Sequence, residues 1–441
     1  MDENELMGSM KVSKAVAKMA IPSVISSLVT VVYNMADTFF VGQTGDPLQV
    51  AAVSQTNPIF ILFMAFANMF GMGGSAAASM ALGEKKEKRV KQVSSFITYA
   101  SLIVGIVFAV ILLVGMQPVL QLFGADADTY ELAKYTTYIS YGAPFIIWSA
   151  AASFVVRSDG ASREAMTGSM IGTVANIILD PIFISGFGMG AAGAAIATTI
   201  GNIMASVYYL WYFCRKSRNM SMAFRYFKCG DRILSQVCSA GLPTAIFSAL
   251  MSISTIILNQ ILVAYGNAPV AAIGIVFKAN MFITFLQMGL ANGVQPLLGY
   301  SYGAGNRERF ITVERYTKKC CLIVGVLATA LFFFFREPII HLFISDTEVI
   351  NYGVEMLIAY MISGPVIGIL FMNMNCMQST GNALPATILS ILRQGVLLIP
   401  VLYGLNALLG LHGVIYGQAL TDYVAVLLSI VIWRWKRRKT L

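Results

Sequence analysis

The feature that most constrains this chain is a succession of long apolar runs separated by short polar breaks. Runs such as Ile97–Gly115 and Val424–Trp433 contain no charged residue. About 20 consecutive apolar residues let an α-helix cross a bilayer, and backbone polar groups in lipid must be satisfied within the helix itself. Reading the runs between charge clusters and Gly/Pro breaks predicts twelve membrane-spanning helices, near residues 16–41, 50–76, 93–116, 133–156, 166–187, 190–214, 236–264, 271–298, 317–335, 352–376, 386–407 and 411–433. Only 12% of the 441 residues are charged, about half the share in soluble domains. The first run, Val16–Val41, is too long for a signal peptide and is expected to remain as helix 1.

The 30 Lys and Arg are distributed unevenly. Twenty-six fall in the N-terminus, in the loops after helices 2, 4, 6 and 8, and in the C-terminal tail. The alternate loops hold Lys134 and Arg336, while Lys278 and Arg393 lie inside helices. By the positive-inside bias both termini are expected in the cytoplasm, as an even number of spans also requires. The net charge of +9 is therefore read as topology and not as a nucleic-acid surface. The six cysteines show no metal-ligand spacing, and with only His341 and His412 no metal site is expected.

The two halves resemble each other at an offset near 220. Gln117–Phe123 aligns with Glu337–Phe343, and Asp126 with Asp346; Gly73, Gly83 and Gly193 fall on Gly293, Gly303 and Gly413, and Pro22 on Pro243. Six helices per half make the halves parallel repeats about an axis along the membrane normal. The expected organisation is an N-terminal lobe (1–214), a cytoplasmic linker (215–235) and a C-terminal lobe (236–441), forming an all-α integral membrane protein.

Ionisable residues at membrane depth are costly and point to function. Asp37 lies in helix 1 with Tyr33 one turn before it; Asp180 lies in helix 5 with Asn176 one turn before it. At 1.5 Å per residue both acids sit roughly 9 Å below the outer ends of their helices, and Thr198 of helix 6 reaches roughly 12 Å. These groups are expected to meet at one level as a proton site or an oxygen-lined site for a small hard cation. Pro181 lacks an N–H and is expected to free a carbonyl one turn back. Thr30, Asn34, Tyr138 and Asn202 are polar candidates for a cargo cavity, which the 24 Met and 27 Phe suit. Lys278, Arg393 and Asp422 of the second half are either a buried charge network or snorkelling side chains. No Ser/His/Asp set, histidine pair or phosphate-cradling glycine loop is present, so a transporter is expected, not an enzyme.

Pro22–Gly42, ending Tyr33-Asn34-Met35-Ala36-Asp37-Thr38-Phe39-Phe40-Val41-Gly42, together with Asn176–Ile184, Gly190–Thr198, Gln295–Gly299 and Gln378–Asn382, resembles the multidrug and toxic compound extrusion (MATE) family on its DinF-like branch. The resemblance implies a V-shaped two-lobe monomer in a bacterial or archaeal cytoplasmic membrane. It implies export of amphipathic, often cationic drugs in exchange for H⁺ or Na⁺, with no cofactor. It also implies ion coupling at Asp37 and Asp180 with Tyr33, Asn176 and Thr198 around them, and bending of helix 1 at Pro22. The NorM-like branch places acidic cation ligands in helices 7 and 10. Here those helices offer Asn259, Asn373 and Asn375, with Glu355 near the outer end of helix 10. Two rivals share parts of this pattern. A major-facilitator transporter would carry a Gly-x-x-x-Asp-Arg-type loop after helix 2, and Gly83–Arg89 lacks it. A lipid-linked oligosaccharide flippase would need a basic central cavity, for which only Lys278 and Arg393 are available.

Overall fold

The structure is a computed structural model that describes the backbone of residues 3–42, 47–122, 135–230 and 232–441. Twelve of its helices are long and apolar enough to cross a membrane. They are α1 (Val12–Gly42), α2 (Pro47–Gly83), α3 (Glu87–Val114), α4 (Tyr135–Ser158), α5 (Ser162–Pro181, continued by π-helical turns at Ile182–Gly186) and α6 (Gly190–Arg215). The second half contributes α7 (Ile233–Val263), α8 (Asn267–Gly303), α9 (Arg307–Phe334), α10 (Thr347–Ser379), α11 (Ala383–Leu409, with π turns at Leu392–Leu397) and α12 (Leu411–Thr440). All twelve predicted segments are present, and most are longer than hydropathy indicates. Helix 9 begins at Arg307 and not near 317, and helix 12 runs to Thr440 and not 433. Charged turns extend these helices beyond the apolar stretch, because a helix satisfies its own backbone outside lipid as well as within it.

The repeat appears in the packing. In the first half α2 packs on α4, α3 and α6 on α4, and α5 on both α1 and α6; in the second half α8, α10, α9, α12, α11 and α7 repeat each contact. The halves meet where α1 packs on α8 and α2 on α7 and α8. A glycine pair seen in the sequence explains the closeness of these crossings. A Cβ on Gly73 would lie 1.9 Å from the Val237 carbonyl oxygen, and one on Gly293 would lie 2.8 Å from Ala20 Cα. Side chains are excluded at both symmetry-related points, so the backbones touch. Asp126, Phe123 and Lys134 lie outside the described residues.

The two termini share one end of the bundle. A short helix, Glu3–Gly8, is held by Arg309 at the start of α9, which donates from Nε to Met7 O and from Nη1 to Met10 O, each at 2.8 Å. At the same end Trp433 and Arg437 of α12 reach Glu314 of α9. The stretch between α6 and α7 folds back on α3: Tyr99 donates to Met222 O at 2.9 Å, and Phe227 stacks on Phe96. All six cysteines are free thiols.

Candidate functional site

The site is built where α1, α5 and α6 cross. Close approach of α5 and α6 rests on two facing glycines: a Cβ on Gly201 would sit 2.5 Å from the Gly172 carbonyl oxygen, and one on Gly172 2.8 Å from that of Gly201. One turn from this crossing, Asn176 of α5 meets Thr198 of α6. Only one orientation of the Asn176 amide satisfies both its atoms. Its oxygen accepts from the Thr198 N–H at 2.9 Å and from the Thr198 hydroxyl at 3.1 Å, and its nitrogen donates to Asp180 Oδ2 at 2.9 Å. The Tyr33 hydroxyl of α1 lies 3.3 Å from Thr198 Oγ1. Since the Thr198 proton is directed at Asn176, Tyr33 is the donor of this contact. A one-way chain of donors thus runs from Tyr33 through Thr198 and Asn176 into the Asp180 carboxylate.

Asp180 is fully buried, and among the described residues its second oxygen, Oδ1, has no hydrogen-bond partner. A buried, unpaired carboxylate oxygen is costly, and such an atom calls for a proton or a cation. Asp37 is half-buried on α1, one turn beyond Tyr33. It lies close enough to Asp180 for the two acids to interact electrostatically, and both act on the buried Tyr135 at the start of α4. The structure therefore brings together Asp37, Asp180, Tyr33, Asn176 and Thr198. Tyr135 was not expected at the site; it lies beside the boundary of helix 4, where hydropathy carries no signal.

Pro22 and Pro181 occupy different settings. Pro22 is buried, and α1 passes through it as one helix. Pro181 directly precedes the π-helical turns, in which Phe187 N–H donates to Ile182 O at 2.9 Å. A widened turn thus follows Pro181 directly, two residues beyond Asp180.

The four polar cavity candidates divide. Thr30 donates to Ser26 O of its own helix at 2.9 Å. Asn202 donates to Thr198 O at 2.9 Å and accepts from Ser149 Oγ at 2.8 Å, so it extends the network to α4. Asn34 is half-buried, and Tyr138 is 37% exposed.

In the second half the question left open by Arg393 and Asp422 is settled as a buried pair. Arg393 Nε donates to Asp422 Oδ1 at 2.8 Å, and Ser363 and Gln418 also donate to that carboxylate at 2.8 and 3.0 Å. The guanidinium lies over Phe247 and Phe371. The repeat places Asp422 opposite Asn202 and Gln418 opposite Thr198. The polar centre is thus duplicated, but in this half a fixed arginine sits beside the acid. Lys278 is half-buried.

The MatE family model matches residues 22–182 and again 243–403, beginning each time at one of the paired prolines Pro22 and Pro243. The chain belongs to the MatE family. Among its relatives, the multidrug export protein MepA of Staphylococcus saprophyticus is 32% identical over 422 residues, covering 96% of this chain and 93% of that protein. MepA of Staphylococcus aureus matches with the same identity and coverage. Among solved structures, an outward-facing multidrug resistance MATE family transporter of the MOP superfamily superposes with a TM-score of 0.94 at 25% identity, covering 100% of this chain and 99% of that one. As a MatE-family member the chain is a multi-pass membrane protein in two repeated halves, with twelve helices long and apolar enough to span a membrane among the described residues.

Proposed function

We propose that this MatE-family chain is a secondary active multidrug efflux antiporter, exporting amphipathic and cationic compounds in exchange for H⁺ or Na⁺ through Asp37 and Asp180, with both termini in the cytoplasm. The MepA relatives are named for multidrug export, and the outward-facing transporter supports the same class. The charge bias of the loops supports the orientation.

One observation carries the coupling. With its oxygen held by the Thr198 N–H, the Asn176 amide can only donate toward Asp180, so Oδ2 is held as an acceptor in this arrangement. A proton or cation must arrive at Oδ1, the buried oxygen without a partner. A cation there meets a carboxylate oxygen, the ligand type that hard cations require, with Asp37 acting on it electrostatically and Tyr33 linked to the same carboxylate through Thr198 and Asn176. A single proton or Na⁺ bound there cancels one of the two negative charges and so relieves the repulsion between the two acids. That changes the attraction of the first half for a cationic cargo. Export follows if cation and cargo favour different states of α1, since coupling needs differential affinity for two conformations.

A flippase reading requires a basic cavity, and Arg393 is neutralised by Asp422. The test is dye efflux from proteoliposomes with a pH or a sodium gradient imposed singly. One gradient should drive efflux, and Asp37→Asn and Asp180→Asn should each slow it about ten-fold or more, the loss of some 1.4 kcal/mol of coupling. Folded variants that export at the parent rate would overturn the assignment of these acids.

A further inference from the structure

A separate cleft of about 400 Å³ opens at the end of the bundle that carries both termini, between α9, α10 and α12. One wall is apolar: Ile369, Ile430 and Trp433. The other is basic: Arg315, Lys318, Arg434 and Arg437, with a single carboxylate, Glu314. Glu314 is 2% exposed and already engaged, since Lys318 pairs with it, Trp433 Nε1 donates to it at 2.7 Å and Arg437 at 3.3 Å. Three donors anchor that acid, and they fix the floor of the cleft. Arg315 and Arg434 are exposed at its mouth, and among the described residues neither forms an ion pair. The excess of positive charge is therefore directed outward on a rigid base.

Its depth is that of a lipid headgroup. Lys319 is the last charge of α9 before the uncharged run Cys320–Phe335, and Arg434 is the first after the uncharged run Tyr423–Trp433 of α12. The cleft thus straddles the edge of the hydrocarbon layer, with its apolar wall toward the chains and its arginines toward the headgroups. Guanidinium forks match phosphate oxygens, and a basic pocket between spanning helices on the cytoplasmic side suits an anionic headgroup. We propose that this cleft binds a phosphate-bearing anion, the headgroup of an anionic phospholipid, whose acyl chain lies along Ile369, Ile430 and Trp433. The site is distinct from the acids of the first half and would stand even if ion coupling ran through other residues.

The test is native mass spectrometry of the full-length protein in detergent with equimolar dioleoylphosphatidylglycerol and dioleoylphosphatidylcholine, with and without excess inorganic phosphate. One phosphatidylglycerol should be retained in preference to phosphatidylcholine. Each arginine near the membrane surface contributes about five-fold, so Arg315→Gln/Arg434→Gln should weaken retention roughly 25-fold. Both side chains are exposed, so the fold is expected to tolerate the change. Arg163→Gln/Arg225→Gln, which removes two arginines outside the cleft, should leave retention unchanged. Retention that survives excess phosphate identifies the lipid as occupant; displacement by phosphate identifies the free anion at the same site. Equal retention of the two lipids, or full retention by the Arg315→Gln/Arg434→Gln protein, would overturn the proposal.

Discussion

Tyr33 of α1 and Thr198 of α6 are in contact hydroxyl to hydroxyl at 3.3 Å, although 165 residues separate them in the chain. The contact ties the helix that carries Asp37 to the network that ends on Asp180. It is also the only link of the donor chain that α1 supplies, so a bend of α1 at Pro22 would act on it directly.

Removing that link should loosen the coupling without unfolding the protein. A hydrogen bond contributes roughly 1 kcal/mol, which corresponds to about five-fold. Tyr33→Phe should therefore reduce gradient-driven efflux by about that factor. Thr198→Ala removes the contacts to both Tyr33 and Asn176 and should reduce it further, by ten-fold or more. Initial rates in proteoliposomes measure both, and parent-like rates in the two variants would exclude the network from coupling.

The Arg393–Asp422 pair should show an asymmetric cost. Breaking a buried pair leaves one charge uncompensated and costs about 3–5 kcal/mol, whereas replacing both charges can be close to neutral. Asp422→Asn alone should lower the melting temperature in detergent markedly, and Arg393→Met/Asp422→Asn should recover most of the loss. A double variant no more stable than Asp422→Asn would contradict this account.

Packing between the halves should reject even one methyl group at Gly73. A Cβ there meets the Val237 carbonyl oxygen, a backbone atom that cannot rotate away. Overpacking of this kind costs about 1–3 kcal/mol. Gly274 of α8 provides the control, because a Cβ there meets nothing within 4 Å. Gly274→Ala should leave thermal stability unchanged or slightly raised through helix propensity, and Gly73→Ala should lower it.

Asp159, in the turn after α4, links stability to pH. It is buried and accepts from Tyr212 at 2.9 Å, Ser217 at 2.7 Å and Asn219 at 3.0 Å. Burial holds its carboxyl above the ordinary Asp range, and these three donors offset that only in part. The native state then binds the proton more tightly than the unfolded chain. This residue's contribution to stability should decline as pH rises from the ordinary Asp value through the raised one. Asp159→Asn should flatten that slope in thermal melts across acid to neutral pH; an unchanged slope would assign the dependence to other groups.

Much of the site was legible because charge in lipid is conspicuous. Asp37 and Asp180 stand out in apolar runs, and a four-residue spacing put Tyr33 and Asn176 beside them. The rise per residue then brought Thr198 to a similar depth. Tyr135 and Ser149 gave no such sign, since an aromatic or a small hydroxyl in a spanning helix is ordinary. Glu314 was counted with a loop because its neighbours are charged; only its spacing from Lys318, one helical turn, hinted that α9 had already begun.

The amino-acid sequence alone determined the number of spans, the one-sided distribution of charge, the duplication and the costly residues within the membrane. Each follows from the local cost of placing a side chain or a peptide group in hydrocarbon, and that cost depends on the stretch of chain around it. Which groups satisfy one another was decided by the tertiary structure alone: the direction of the donor chain into Asp180, the pairing of Arg393 with Asp422 and the cleft around Glu314. Lipid is as apolar as the packed interior, so a spanning helix carries little periodic signal of the face it turns inward. Rotation and register between helices therefore become visible only once they are packed.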